Sequence, residues 1–591
     1  MVLSSFVVVS SFIITISAYT WPSPQYDALE KLLYEGSDIS GVPIASITRG
    51  CATRGQPAEQ KSTVAAEWLR LAYHDMATHN ITDGTGGLDA SIFFELNRPE
   101  NIGAGMSDSV GDFQFSATKY ISRADIIAMG AVWAVASCKG PSIPYRGGRI
   151  DAKGSGRLGV PEPQQDLASH TESFRLQGFL STEMISLVAC GHTLGGVRSL
   201  HFPNIVEDKR GNVLSTSTFD TTDAFDSAVL VEYLDSSTMN PLIRVVNTTL
   251  ASDLRIFSSD GNVTMKSLNS ESAFLQACTT LLEKMINTVP SNVTLTDEIK
   301  LLPAKVTDAQ ITVCNSQLIF QTMLRLSHLN TVSTPKNRKV KLFWCDKRGQ
   351  FKDCASITNV ASAPESPPVE VSPLTESQST TFIAYKFSVP MSANRSVAKF
   401  WFQVDEGDGS TPTIHDNDGR GYILPQDEII HASSIGTIIS DFTGDQLNHS
   451  FIFDAGIRSE SNFTRAQIHA SDYSSRGSGP LLNTTIELQR NATKTFVEGY
   501  DLYTAHVATA GGGLNVDMEV IINGVSYAVD YISAATIDQL GPLSTITNIT
   551  TSSISTAPGT NTSSPSSAVP MHLLPLVYLA ASAVLLTSLL S

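Results

Sequence analysis

The chain has 591 residues, more than one ordinary hydrophobic core accommodates, so two domains with appendages are expected. Its formal net charge of −17 argues against nucleic acid or an anionic membrane surface as the binding partner. An acidic surface suits a secreted protein, and it favours neutral or cationic small molecules only weakly.

Both ends of the chain are apolar. Residues 1–18 form an apolar segment that ends in small residues, which is typical of a signal peptide even though a basic start is missing. Residues 571–591 are also apolar, and residues 546–570 before them are rich in Ser, Thr and Pro. This order predicts a stalk followed by a GPI-attachment signal, with a membrane-spanning tail as the alternative. Eleven Asn-x-Ser/Thr sequons agree with passage through the secretory pathway.

Between these ends the spacing of apolar residues changes from a helical to a strand-like pattern. Apolar periodicity predicts helices at 63–73, 123–138, 181–191 and 273–286, with Ser181 as a candidate N-cap. Residues 331–375 end in a stretch rich in Pro, Ser and Glu, which predicts a linker. Alternating segments separated by Gly, Asp and Asn predict a β-sandwich-like domain over 376–545.

Two short motifs carry the chemistry. Arg70 and His74 are four residues apart, so they share one face of the first helix. A base beside a permanent cation can move a proton and stabilise negative charge, which heterolysis of a peroxide O–O bond on iron requires. His192, in the motif Ala-Cys-Gly-His-Thr on another helix, could hold the iron from the opposite side.

A series of further motifs accompanies these two. Together and in this order they resemble the plant/fungal haem peroxidase superfamily, and most closely the secreted fungal class II branch that contains lignin and manganese peroxidases. The resemblance implies a mainly α, two-lobed helical domain around haem b over residues 25–330. The motifs are Arg70-x-x-x-His74-Asp75, Gly86-Gly-Leu-Asp89-Ala-Ser91, Arg98-Pro-Glu-Asn101, Gly159-Val-Pro-Glu-Pro163, Ala189-Cys-Gly-His192-Thr193, Phe219-Asp220-Thr-Thr222 and Ser259-Asp260.

The resemblance implies a role for each polar residue of the site. His74 takes a proton from hydrogen peroxide and returns it to the leaving oxygen, while Arg70 stabilises the departing hydroxide. Asn101 accepts a hydrogen bond from the other ring nitrogen of His74. His192 ligates the haem iron, and Asp260 accepts a hydrogen bond from its remote N–H, which makes the imidazole a stronger donor to iron.

Two aromatic residues complete the implied haem contacts. Phe219 stands beneath the haem, where cytochrome c peroxidase has a tryptophan, so a tryptophan radical is not expected there. Tyr73 lies near the distal haem face, where the family often has Phe, and its phenol is oxidisable.

Four positions bear on the reductant. A manganese-oxidising site needs three carboxylates; Glu67 matches one position, but Thr63 and Arg198 stand at the other two. We therefore expect no manganese site and interpret Glu67 as a helix-surface carboxylate. Leu187 stands where lignin peroxidases have a surface tryptophan. With these two specialised routes excluded, the expected reaction is one-electron oxidation of small phenols or aromatic amines at an exposed haem edge.

Two groups of oxygen ligands match calcium sites of the family, because calcium prefers mixtures of carboxylate, carbonyl and hydroxyl oxygens. The alternative is that these are turn and cap residues. The predicted distal site consists of Asp75, the Gly87 carbonyl, Asp89 and Ser91, and the predicted proximal site consists of Thr193, Asp220, Thr222 and Asp226.

Seven cysteines leave one unpaired in an oxidised chain. Cys190 lies in an apolar helix and is predicted to be the buried free thiol. Spacing predicts Cys345–Cys354 as a local bridge. The resemblance implies two more bridges, Cys51–Cys138 and Cys278–Cys314.

The sequence thus predicts an extracellular, GPI-anchored haem peroxidase (EC 1.11.1 class) with haem b and two Ca²⁺, which uses hydrogen peroxide and small aromatic reductants. A cell-wall or adhesion protein with an inactive or repurposed peroxidase-like domain is the alternative from another class. An intracellular cytochrome-type peroxidase is disfavoured by the signal peptide, the cysteines and the calcium ligands. Trp401 and Phe402 could line a glycan-binding face of the β-rich domain, although core positions are the preferred interpretation.

Overall fold

A computed structural model describes most of the chain between residues 21 and 550. The predicted signal peptide, most of the stalk and the apolar tail lie outside the described residues. All described residues belong to one compact unit, Met1–Thr550. Within the described residues, no helix is long and apolar enough to cross a membrane. The described ranges are 21–38, 41–54, 63–207, 216–332, 335, 337–355, 357–432, 436–443, 446–473, 482–493, 496–509, 514–533 and 545–550.

Helices dominate the first part of the chain. They are α1 Pro24–Glu35, α2 Val64–Met76, α3 Ala104–Phe113, α4 Arg123–Ser137, α5 Leu167–Leu176, α6 Ser181–Gly191, α7 Ala228–Leu234, α8 Pro241–Arg244, α9 Ser252–Phe257, α10 Val263–Ser267, α11 Glu271–Ile286 and α12 Pro373–Ser377. Short 3₁₀ segments at Ile44–Thr48, Ser91–Phe94, Pro99–Asn101 and Thr248–Leu250 connect them. The predicted helical character of this part is confirmed.

The helix starts follow local capping chemistry. Thr63 caps α2, because its Oγ1 accepts a hydrogen bond from the Ala66 N–H at 3.1 Å. At α6 the prediction was wrong by one residue: Leu180 is the N-cap and Ser181 is already helical. There the Glu183 carboxylate accepts a hydrogen bond from the Leu180 N–H at 2.8 Å, which satisfies a donor at the helix start.

Strands follow the helices. Two short ones, β1 Gly196–Arg198 and β2 Thr216–Thr218, pair beside the helical part. The others are β3 Ala304–Cys314, β4 Gln317–Leu329, β5 Lys339–Cys345, β6 Ile357–Ala363, β7 Thr380–Pro390, β8 Lys399–Asp405, β9 Thr413–His415, β10 Tyr422–Ile423, β11 Ile429–Ala432, β12 Gly436–Thr443, β13 Gln446–Arg458, β14 Arg465–Asp472, β15 Leu482–Glu487, β16 Gln489–Arg490, β17 Tyr500–Thr509, β18 Leu514–Ile522, β19 Val525–Ser533 and β20 Thr545–Thr550.

These later strands form three sheets. One has the order β10-β8-β5-β6-β20 with β9 beside β8, and the largest has the order β16-β17-β13-β11-β3-β4-β7 with β12 beside β13. The third has the order β15-β14-β18-β19. Neighbouring strands are antiparallel except for β11 and β3. A β-rich region after the helical part is therefore confirmed.

The strands begin earlier than the sequence predicted. β3 and β4 lie inside the range assigned to the helical domain, β5 and β6 lie inside the predicted linker, and α12 begins in that linker. The Pro- and Ser-rich composition obscured an alternating pattern, since β5 reads Lys-Val-Lys-Leu-Phe-Trp-Cys with every second side chain buried up to Trp344. The helical and β-rich parts are thus joined by ordered structure.

A buried ionic network ties α1 to β3 and β4. Glu30 contacts Lys305 Nζ at 2.6 Å and also pairs with Arg325, which in turn contacts Glu35 at 2.7 Å. All four side chains are almost completely buried. Burial alone would raise the pKa of Glu30, but the charges of Lys305 and Arg325 hold it below its ordinary value.

Three disulfides are present among the described cysteines. Cys51–Cys138 and Cys345–Cys354 are confirmed. The predicted Cys278–Cys314 bridge is wrong, because Cys278 on α11 pairs with Cys190 on the adjacent α6, with Cα atoms 5.5 Å apart. Cys314, at the end of β3, is the buried free thiol.

Candidate active site

A cavity of about 310 Å³ lies between α2, α6 and α9. Both predicted histidines line it, together with apolar side chains such as Leu69, Leu187 and Val188. The structure therefore brings the two sequence motifs to one space. The other polar or aromatic residues that line it include Arg70, Tyr73, Arg198, His201, Phe219 and Asp253.

On the α2 side, His74 and Asn101 form the predicted pair. The Asn101 side-chain oxygen lies 2.7 Å from His74 Nδ1. The amide nitrogen of Asn101 donates to the Glu95 carbonyl at 3.0 Å, so the amide oxygen is the atom turned towards the ring. This arrangement places the imidazole proton on Nδ1 and leaves Nε2 as a base.

The electrostatics keep His74 neutral. Burial lowers the pKa of His74 well below its ordinary value, and the positive charge of Arg70 lowers it further. Burial likewise lowers the pKa of Arg70 to about 10, with a contribution from the charge of Arg198. Arg70 donates one hydrogen bond, to the Ile102 carbonyl at 3.3 Å. At neutral pH the pair is a neutral base beside a cation, as the sequence motif requires.

On the opposite side, His192 is oriented by Asp253. The Asp253 carboxylate accepts a hydrogen bond from His192 Nδ1 at 2.8 Å, and the same oxygen accepts from the Asn240 amide at 2.8 Å. The Asp253 side chain is only 1% exposed. The Phe219 ring stacks on the His192 ring, with centroids 4.2 Å apart and planes 12° from parallel. Because Nδ1 is engaged, Nε2 is the ring nitrogen left to bind a metal.

The prediction that Asp260 accepts the hydrogen bond of His192 is wrong. The Asp260 carboxylate accepts hydrogen bonds from the backbone N–H groups of Val263 at 3.0 Å and Thr264 at 2.9 Å, so it caps α10. Asp253 and Asp260 each follow a serine, and they are seven residues apart. The second is followed by Gly261, which is typical of a turn, whereas Asp253 precedes the helical run Leu-Arg-Ile-Phe; this difference could have identified the right residue.

Tyr73 lines the cavity beside His74, as predicted. Its hydroxyl donates to the Gln177 side-chain oxygen at 3.3 Å, and its ring stacks on Phe174 with centroids 6.0 Å apart. Burial raises the pKa of the Tyr73 phenol above its ordinary value. Tyr73 is therefore a neutral phenol at the wall of the site.

Glu67 does not lie on the helix surface as expected. It is buried and contacts two arginines, Arg198 at 2.7 Å and Arg54 at 2.9 Å. Thr63 is occupied as the cap of α2. A carboxylate held between two guanidinium groups is a structural ion pair, and its lone pairs are committed to those donors.

The predicted distal calcium ligands come together in the loop after α2. The Asp75 carboxylate accepts from the N–H groups of Ala90 at 2.7 Å and Ile92 at 2.9 Å. The Thr78 hydroxyl lies 2.9 Å from the Asp75 carbonyl and 3.4 Å from the Gly87 carbonyl. Burial raises the pKa of Asp75 well above its ordinary value, and the nearby charge of Asp89 adds to this. A bound cation would reduce the repulsion between the Asp75 and Asp89 carboxylates.

The predicted proximal ligands also lie together. Thr193 Oγ1 donates to the Asp226 carbonyl at 2.7 Å, and the Thr222 hydroxyl lies 3.3 Å from the Asp226 carboxylate. One buried carboxylate oxygen of Asp220 has no hydrogen-bond partner in the described part of the chain, and burial raises the pKa of Asp220 to about 7. Among the described residues there is no group of three or more His, Cys, Asp and Glu that could hold a metal, so calcium stays a prediction.

Sequence reasoning missed His201. It lines the cavity with Arg70 and Arg198, and its buried Nε2 has no hydrogen-bond partner among the residues that the structure describes. Burial lowers the pKa of His201, and the charges of Arg198 and Arg70 lower it further. The only available signal was its position on the segment that follows His192.

The fold and this pair of oriented histidines define the class of protein. Residues 53–271 match the peroxidase family model, and this part of the chain belongs to the plant/fungal haem peroxidase superfamily. The superfamily assignment made from the sequence motifs is confirmed.

Three relatives illustrate the similarity. A WSC domain-containing protein of Arthroderma benhamiae (strain ATCC MYA-4681 / CBS 112371) is 33% identical over 401 residues, which cover 66% of this chain and 53% of that protein. A putative L-ascorbate peroxidase 6 of Arabidopsis thaliana is 36% identical over 141 residues, 22% of this chain and 41% of the relative. A lignin-forming anionic peroxidase of Nicotiana tabacum is 31% identical over 164 residues, 26% of this chain and 49% of the relative. The chain thus spans about half the length of these relatives.

Proposed function

We propose that this protein is a haem b peroxidase that reduces hydrogen peroxide and oxidises small phenolic or aromatic reductants in one-electron steps. One observation carries the proposal: His74, oriented by Asn101, and His192, oriented by Asp253, line the same cavity. Each histidine has its Nδ1 engaged, so each has Nε2 available for chemistry.

The residues of the cavity fit a haem. His192 Nε2 is suited to bind the iron, since a carboxylate on the remote nitrogen makes the imidazole a stronger ligand. Apolar side chains suit the porphyrin ring, and Arg198 together with His201 suits its carboxylates. When bound, the haem supplies the redox equivalents for a two-electron reduction of peroxide and two one-electron recoveries.

The protein's own residues handle the proton and the charge. His74 Nε2 would accept a proton from one oxygen of hydrogen peroxide and return it to the other oxygen, which would leave as water when the O–O bond breaks. Arg70 stabilises the negative charge that develops on that departing oxygen. Asp253 keeps the proton of His192 on Nδ1, and Phe219 restrains the ring by stacking.

Several features outside the cavity support an activity at the cell surface. Three disulfides and eleven sequons suit an oxidising extracellular environment. The signal-peptide and GPI-signal patterns at residues 1–18 and 571–591 support secretion followed by anchoring. The clusters around Asp75 and Asp220 support two structural Ca²⁺ ions.

The proposal is tested by peroxide-dependent oxidation of a small phenol by the full-length, haem-reconstituted protein. His74→Leu is expected to lower the rate by about 10²–10⁴-fold, because the acid–base step is lost. The matched control is His328→Leu, since His328 lies on β4 and contacts the Val332 carbonyl rather than the cavity. Equal rates for the wild type and the His74 variant would refute the proposal.

A further inference from the structure

We propose that the outer face of β8 and β5 binds an anionic polysaccharide, with sugar rings against Trp401 and Phe343 and carboxylates against three lysines. This binding site is separate from the cavity and does not depend on the peroxidase reaction. It would attach the protein to an acidic extracellular matrix polymer.

Successive side chains along β8 and β5 point to opposite faces of the sheet. On β8, Phe400 and Phe402 are completely buried, whereas Trp401 between them is partly exposed. On β5, Leu342 is completely buried and its neighbour Phe343 is partly exposed. The core interpretation is therefore right for Phe402 and wrong for Trp401, because successive residues of a strand face opposite ways.

Trp401 and Phe343 form one aromatic surface. They are opposite each other in the antiparallel register of β5 and β8. Their rings are 7° from parallel, with centroids 5.8 Å apart. On the same face, Ile423 is 58% exposed and Ile414 is 46% exposed, and each pairs with β8 through its own short strand. The apolar surface thus extends over four strands, β5, β8, β9 and β10.

Three lysines surround this surface. Lys399, Lys341 and Lys339 alternate with buried residues on β8 and β5 and are all exposed. Among the described residues, no carboxylate lies within ion-pair distance of any of them. Asp405 is opposite Lys339 in the register, but its carboxylate accepts the Gly407 N–H at 2.9 Å.

The positive charge of this face favours an acidic polysaccharide as its ligand. In a chain of net charge −17, three exposed lysines around exposed aromatic rings are a local exception. At physiological ionic strength the Debye length is about 8 Å, so the distant negative charge is largely screened at this face. Aromatic faces pack against the C–H face of a pyranose ring, and ammonium groups attract carboxylates. A polymer of uronic acids supplies both groups at regular spacing.

Affinity electrophoresis of the full-length protein in gels that contain polygalacturonate tests this site. The wild type is expected to be retarded, and Trp401→Ala or the double variant K341E/K399E is expected to bind at least about tenfold more weakly. Lys153→Glu, an exposed lysine of the helical part, is the matched control and should bind as the wild type does. Circular dichroism checks that every variant is folded.

The other outcomes decide against the site. Equal retardation of the wild type and both variants would overturn it, and so would the absence of retardation of the wild type. Binding to a neutral glucan that survives K341E/K399E would remove the role of the lysines and overturn the anionic specificity. Tighter binding to a single-stranded oligonucleotide than to polygalacturonate would assign the face to nucleic acid instead.

Discussion

The Asp253 carboxylate accepts a hydrogen bond from His192 Nδ1 at 2.8 Å, while Asp260, seven residues later, caps a different helix. Asp253 is buried, and its only other side-chain donors are Asn240 at 2.8 Å and Ser252 at 3.3 Å among the described residues. A buried carboxylate with so few donors polarises the imidazole strongly. In the proposed haem site, Asp253 would therefore control the electron density that His192 offers to iron.

Substitution of Asp253 should change the redox properties of the bound haem. We expect Asp253→Asn to raise the Fe(III)/Fe(II) reduction potential and to slow the reaction with peroxide, because the imidazole becomes a weaker donor. Asp260→Asn is the matched control and should leave the potential unchanged. Spectroelectrochemical titration measures both. An unchanged potential in Asp253→Asn, or a shift only in Asp260→Asn, would contradict the assignment.

The neutral state of His74 predicts a flat pH profile in weak acid. Its pKa is held well below the ordinary value of 6.5 by burial and by Arg70, so the base remains unprotonated as the pH falls through 6.5. The rate constant for reaction with peroxide should therefore stay level there and fall only at lower pH. Arg70→Leu removes the neighbouring charge, so the fall should begin at higher pH. Stopped-flow measurements from pH 8 to pH 4 would disprove this if the wild-type rate halved near 6.5.

The Cys190–Cys278 bridge should contribute measurably to stability. Removal of a native disulfide from a small secreted domain typically costs about 2–5 kcal/mol, so we expect a loss of this order in the double variant C190S/C278S. Cys314→Ser probes the free thiol, and it should preserve all three bridges. Chemical denaturation gives the stabilities, and peptide mapping without reduction gives the pairing. Recovery of a Cys278–Cys314 peptide from the wild type would contradict the structure.

The ionic network between α1 and the first long strands should be sensitive to loss of one partner. Glu30→Ala leaves Lys305 and Arg325 buried with less compensation, which is expected to cost about 3–5 kcal/mol of the free energy of unfolding. Glu298→Ala breaks the exposed pair with Lys300 and should cost less than about 1 kcal/mol. Denaturant titration compares the two variants. Similar stabilities would show that the network does not join the helical and β-rich parts.

Calcium should stabilise the helical part. Asp75 and Asp220 are buried carboxylates with raised pKa values and few cationic neighbours, so a divalent cation should lower the cost of their charge. We expect EGTA to lower Tm and added Ca²⁺ to restore it. Asp220→Asn should reduce this Ca²⁺-dependent change, whereas Asp235→Asn, at an exposed turn, should not. A Tm that is insensitive to EGTA in the wild type would exclude both sites.

Some of the site could be predicted from local sequence because its residues lie on one element. Arg70 and His74 are one helical turn apart on α2, and the motif itself fixes their common face. The pair His74–Asn101 also followed from motif order. Spacing alone could not choose Asp253 over Asp260, since each follows a serine and lies in or just before a short helix, and the local difference between them is the glycine that follows Asp260. That choice is made by the packing of α9 against α6.

In the β-rich part, too, the sequence predicted some features and missed others. Alternation identified β7 and β8, because one face of each strand is apolar. The same reasoning did not extend to β5 and β6, where Pro- and Ser-rich sequence follows, and it could not decide which aromatic residue of β8 faces solvent. That decision depends on which face of the sheet meets the core, which only the tertiary structure provides.

The most direct test of the central claim is the visible spectrum of the purified full-length protein before and after one equivalent of hydrogen peroxide. We predict a Soret band from a histidine-ligated haem, a rapid change of that band with peroxide, and its loss from His192→Ala. The absence of a Soret band after reconstitution with haem, or a wild-type spectrum that peroxide leaves unchanged, would contradict the assignment of this protein as a haem peroxidase.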